Sequence, residues 1–156
     1  MPPSKHTCCA ILAILVAATP LGNGSVAAAD GVLARCGASK GRGYFLKDNL
    51  SNPDGPMWAD DGISSGKVVL IRLGDEWDIQ FDDTVGAYGY RQDGATVAML
   101  GQFGERLSIG AFRGTYADIF TFDFAEKEVV WTSQKIGTFV PKVAVYVAKC
   151  EIVNRP

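Results

Sequence analysis

Residues 67–114 read KVVLIRLGDEWDIQFDDTVGAYGYRQDGATVAMLGQFGERLSIGAFRG, with apolar and polar side chains alternating and a turn signal about every ten residues. The turns fall at Gly74-Asp75, Asp82-Asp83-Thr84, Asp93-Gly94, Gly104-Glu105 and Gly114. A period of two broken by such turns describes antiparallel strands joined by tight hairpins, a β-meander. Trp77, Ile79 and Phe81 against Asp78, Gln80 and Asp82 form the cleanest run, so one face is expected in the core and the other in water. Asp93-Gly94 is a preferred hairpin dipeptide and is expected to pair Ala87–Gln92 with Ala95–Leu100.

The rhythm continues in both directions. Tyr116–Phe124 carries Tyr116, Phe120, Phe122 and Phe124 on one parity. Val129–Thr132 and Val143–Cys150 follow, with a loop at Ile136–Pro141 between them. On the N-terminal side, Gly43–Leu46 is a short strand candidate, Asp30–Arg42 a Gly-rich lead-in, and Lys47–Gly66 a long connection around the turn Asn52-Pro53-Asp54-Gly55.

The first 29 residues have the layout of a secretory signal peptide. Lys5 and His6 form a short basic region, Cys9–Ala18 an apolar run of ten residues, and Val26-Ala27-Ala28-Ala29 a small-residue cleavage site before Asp30. Ten apolar residues are too few for a membrane anchor, which needs roughly 20. Removing residues 1–29 from 156 leaves 127, enough for a single all-β domain at 30–156. The expected localisation is periplasmic or extracellular, with no membrane anchor in the mature chain.

Cleavage also removes Lys5, which moves the net charge from −2 to −3, and takes away Cys8, Cys9 and His6. No basic stripe remains, which argues against a nucleic-acid partner. His6 is the only histidine. The mature chain therefore lacks Ser-His-Asp and Cys-His catalysis and His-ligated metal sites. A carboxylate pair, a Ser-Lys dyad or an oxygen-ligated calcium or magnesium site is still chemically open. Asp75, Glu76, Asp78, Asp82 and Asp83 are numerous, but they sit at strand edges and turns, where solvated charge is ordinary. The expectation is a protein that is not an enzyme, with no catalytic residues, no metal and no cofactor.

Cys36 and Cys150 bracket nearly the whole mature chain, and in an oxidising compartment they read as a disulfide. In an up-and-down meander, the start of the first strand and the end of the last meet only when the strand count is even. Nine strand candidates and this constraint favour a closed or nearly closed up-and-down barrel of about eight strands, first and last adjacent. A two-sheet β-sandwich is the alternative.

Candidate contact residues for a ligand or partner fall in two groups. Trp58 beside Asp60 and Asp61 offers an aromatic platform next to two carboxylates. The same residues also suit a plug for one end of the core and caps for turns. Tyr88, Tyr90 and Arg91 form a second group, and the Phe120–Phe124 strand could line a barrel interior.

Several of these residues carry a resemblance. Cys36-Gly37, Gly43-Tyr44-Phe45, Trp58 and Asp61-Gly62-Ile63-Ser64-x-Gly66 form one set. Asp78-Ile79-x-Phe81-x-Asp83, Asp93-Gly94-Ala95-Thr96-Val97 and Val147-Ala148-x-Cys150 form another. Together they resemble a group of small exported bacterial β-proteins with no assigned function. That likeness implies an exported single domain with Trp58, Asp61 and the 93–97 hairpin in its framework. In architecture the chain is also similar to the β-barrel lysozyme inhibitors of the bacterial envelope. Gly86-Ala87-Tyr88 with Tyr90-Arg91 is the passage nearest their inhibitory segment.

Two roles follow as expectations. One is a non-catalytic binding module for a small apolar or amphipathic ligand. The other is a protein–protein interaction module, such as an inhibitor of an envelope enzyme, acting through the tips at Asp82-Asp83-Thr84 and Asp93-Gly94.

Overall fold

The computed structural model describes residues 30–82 and 86–156. The expected signal peptide, residues 1–29, and the tip residues Asp83 and Thr84 lie outside the described residues. The described chain is all-β. Its strands are β1 (Gly31–Phe45), β2 (Met57–Asp61), β3 (Lys67–Leu73), β4 (Glu76–Asp82), β5 (Ala87–Gly89), β6 (Thr96–Phe103), β7 (Arg106–Arg113), β8 (Tyr116–Asp123), β9 (Glu128–Lys135) and β10 (Lys142–Ile152).

All pairings are antiparallel. Nine strands follow the order β5-β4-β3-β1-β10-β9-β8-β7-β6, and β2 lies beside β1 off that path. β1 and β10 are neighbours, as the cysteine pair favoured, and the Cys36–Cys150 disulfide links directly opposed residues. The sheet, however, is an open half-barrel. It is neither a closed barrel of about eight strands nor two stacked sheets. Its edges are β5 and β6, which the chain joins directly without pairing them.

Three expectations are corrected here. Asp30–Arg42 is not a lead-in but most of β1, the longest strand, with β10 along one side. Its glycines hid it: Gly41 lies where an added Cβ would run into the Val145 carbonyl and the Tyr146 ring. Inside the long 47–66 connection, Met57–Asp61 forms β2 on the C-terminal half of β1, while β3 pairs with the N-terminal half. Polar residues of both parities concealed that strand from a pattern search. Finally, Asp93-Gly94 does not pair Ala87–Gln92 with Ala95–Leu100, since β5 pairs with β4 and β6 with β7. Asp93 instead accepts from the Tyr116 hydroxyl at 2.8 Å and pairs with Arg113 at 2.8 Å, which folds the turn over the open seam.

Strand register sorts the concave face into rows across β7, β8, β9 and β10. The first is Leu107–Phe122–Val129–Ala148, all buried. The second, Ile109–Phe120–Trp131–Tyr146, is mostly aromatic and also buried. The third is Ala111–Asp118–Ser133–Ala144, small and partly polar. The fourth is Arg113–Tyr116–Lys135–Lys142. Apolar side chains fill the half nearer Cys150, and the small third row leaves room near the other end. On β10 the valines 143, 145 and 147 face outward and Ala144, Tyr146 and Ala148 face inward. The Trp131 and Tyr146 rings, stacked 4.8 Å apart, take the volume that the alanines vacate.

Candidate functional site

A cleft of about 410 Å³ opens above the aromatic row. Its walls include Trp131, Tyr146, Phe81 and Tyr88, and its polar groups include Asp61, Asp118, Ser133, Lys135 and Lys142. Alternation explains the supply: β8, β9 and β10 each send every second residue inward. β2 adds Asp61, which lies opposite Gly41 and so reaches past a position with no side chain. The 136–141 loop supplies Thr138, Phe139 and Val140 at the mouth.

Asp118 is the residue that sequence reading missed. It keeps 2% exposure on a strand whose inward neighbours are Phe120 and Phe122. Tyr90 donates its hydroxyl to Oδ2 at 2.5 Å. The other oxygen, Oδ1, is buried without a hydrogen bond from any described residue. Burial raises the carboxyl above its ordinary range, against the opposing pull of Ser133, Tyr90 and the charges of Lys135 and Lys142. The signal was present: Tyr116-x-Asp118-x-Phe120-x-Phe122 puts one carboxylate on the core parity of an aromatic strand.

Asp61 behaves in the opposite way. Burial pushes its carboxyl up, but hydrogen bonds from Lys142 and Tyr146 and the Lys142 charge outweigh that and hold it below the usual range. The Tyr146 hydroxyl donates to Oδ2 at 2.6 Å, and the Lys142 ammonium reaches the same oxygen. Tyr146 is itself raised, by burial first and then by the Asp61 acceptor. Lys142 also lies over the Phe45 and Tyr146 rings. Lys135 makes no ion pair with any described residue.

The expected contact residues divide. Asp61, Tyr88 and Tyr90 meet in the cleft. Tyr90, 2% exposed, is part of its floor, with T-shaped contacts to Tyr88, Tyr116 and Phe120. Trp58 does not plug the core; it is 62% exposed on the convex face, against Tyr44. Asp60 is exposed on the same face and lies 3.5 Å from Arg42. Arg91 has a structural position. Its Nε donates to the Trp77 carbonyl at 2.7 Å and its Nη2 to the Val97 carbonyl at 3.1 Å, which ties β4 to β6 across the seam. Phe120, Phe122 and Phe124 are packed core.

Among the described residues, no three metal-ligating side chains gather at one point, and no helix is long and apolar enough to cross a membrane. In comparisons with known proteins, the chain matches no family model, no curated protein and no solved structure.

Proposed function

We propose that the protein is an exported, non-catalytic binding module that takes a small amphipathic ligand into the cleft between its aromatic row and its cationic mouth. The observation that carries this reading is Asp118, a fully buried carboxylate with one unmet oxygen, beside open volume. Leaving such an acceptor unmet costs about 1–3 kcal/mol, which favours a hydrogen-bond donor arriving from the cleft. Aromatic walls with a few convergent polar groups are the ordinary make-up of a small-molecule site. Asp61 supports the non-catalytic reading, because both its oxygens are already engaged, Oδ2 by Lys142 and Tyr146 and Oδ1 by the Gly62 amide. The Cys36–Cys150 disulfide supports an oxidising compartment.

The test is a native mass spectrum of the oxidised protein purified from its own host. The expected result is a stoichiometric small molecule that an Asp118→Ala variant loses. Protein that is always empty, in a spectrum where added ligands survive for a control binder, would sink the reading.

The second reading, a protein–protein module such as an inhibitor of an envelope enzyme, rests on the convex face. Val130, Val143, Val145 and Val147 are 39–51% exposed there on adjacent strands. An apolar surface of this kind is where a partner would dock. The Asp93-Gly94 tip contributes less to this reading, because Asp93 is held by Tyr116 and Arg113.

A further inference from the structure

We infer that the cleft selects a small zwitterion with an apolar or aromatic substituent, its ammonium against Asp118 and its anionic group against Lys135, the class to which aromatic amino acids belong. This inference rests on the binding reading above and specifies its ligand. It follows from taking the polar groups of the cleft one at a time. Asp61, Lys142 and Tyr146 satisfy one another. Tyr90 is committed to Asp118. Ser133, opposite Asp118 on β9, also lowers its carboxyl, yet no described residue gives Asp118 Oδ1 a hydrogen bond, which leaves that acceptor open together with one cation outside any ion pair among the described residues, Lys135.

These two have opposite sign and sit on successive rows. Asp118 is opposite Ser133 on β9, and Lys135 is two residues farther along that strand. Two residues of strand span roughly 6–7 Å, and the lysine side chain is long enough to shorten the gap. A ligand with a donor at one end and an anion a few atoms away satisfies both groups together. A simple amine leaves Lys135 unmet, and a simple carboxylate leaves Oδ1 unmet.

The rest of the cleft decides what the ligand carries between its charges and beyond them. Trp131 and Tyr146 form a stacked wall, and Phe81 and Tyr88 face each other at 6.1 Å. Aromatic faces suit an apolar substituent and also favour a neighbouring ammonium through the ring quadrupole. With the Asp61–Lys142 pair neutral, Asp118 and Lys135 balance, so the site is complementary to a ligand of zero net charge with separated poles.

Isothermal titration of the oxidised protein with four probes tests this: phenylalanine, phenethylamine, 3-phenylpropionate and cellobiose. Phenylalanine should bind at least tenfold more tightly than either singly charged analogue. Asp118→Asn should reduce phenylalanine to the affinity of 3-phenylpropionate, and Lys135→Met should reduce it to that of phenethylamine. Thermal unfolding checks that both variants are folded. Phenylalanine binding no better than either analogue, or indifferent to both substitutions, overturns the inference. Cellobiose binding alone overturns the zwitterion class while leaving a ligand site in place. Failure of all four probes overturns it too, and the binding reading falls with it only if the native spectrum is also empty.

Discussion

At the scale of single residues, Asp118 and Asp61 set the balance between stability and binding, and they do so with opposite sign. Burial raises the Asp118 carboxyl, so the folded state holds its proton more tightly than the unfolded chain. That contribution is fully present below the unfolded carboxylate value of about 3.9 and is lost as pH rises through the folded value. Its ionised form is countered only in part by the Ser133 and Tyr90 hydroxyls and by the Lys135 and Lys142 charges, with Tyr146 also near. Asp118→Asn should therefore unfold at higher denaturant at pH 7, by about 1 kcal/mol, while losing ligand affinity. Urea titrations across pH 4–8 should show the gain shrinking toward acid. Asp61 is held low, so its stabilisation is present above the unfolded value and disappears as pH falls through the folded one. Asp61→Asn should cost about 1–3 kcal/mol at pH 7 and progressively less in acid. Neither residue's role was fully visible beforehand. Asp61 stood out because it adjoins Trp58 and Asp60, although it points to the opposite face from both. Asp118 was hidden because one polar residue does not disturb an aromatic alternation.

Among elements, the seam between β4 and β6 is the weak line of the sheet. Among the described residues no ladder crosses it, and the Arg91 fork takes its place. A guanidinium can donate to two carbonyls on different strands at once, and a lysine ammonium lacks that planar fork. Arg91→Lys should destabilise by about 1–3 kcal/mol, nearly as much as Arg91→Ala. Hydrogen exchange should speed up first at the amides of β6 and the N-terminal half of β4. Retained protection there in both variants would refute the clasp. The turn at Asp93-Gly94 was legible from its dipeptide, but its strand partners were not. A hairpin signal specifies a reversal, while the Asp93 contacts to Tyr116 and Arg113 decide over which edge the chain reverses.

For the whole molecule, the Cys36–Cys150 link spans 114 residues and joins the two central strands at the packed end. A loop of that size is worth about 4–5 kcal/mol in the chain-entropy account. The Cys36→Ala/Cys150→Ala double variant should lose stability of that order in urea, with a lower midpoint and a steeper slope, because the unfolded chain freed of its crosslink is less compact. A loss under 1 kcal/mol would show that β1–β10 pairing alone holds the ends. The meander, β3, β4 and β7 to β10 within a few residues, the core parity of Trp77, Ile79 and Phe81, and the pairing of the cysteines all followed from the sequence. They depend on the period of two and on local turn chemistry, which neighbouring residues carry among themselves. β1 and β2 did not follow, because their glycines and charges make sense only beside Tyr146 and Lys142. Nor did the open seam, because closure depends on how strands distant in sequence meet. The cleft is likewise a tertiary product. Asp118, Ser133, Lys135 and Asp61 come from three strands, and only the register across them turns small side chains into a void and leaves one carboxylate oxygen waiting at its edge.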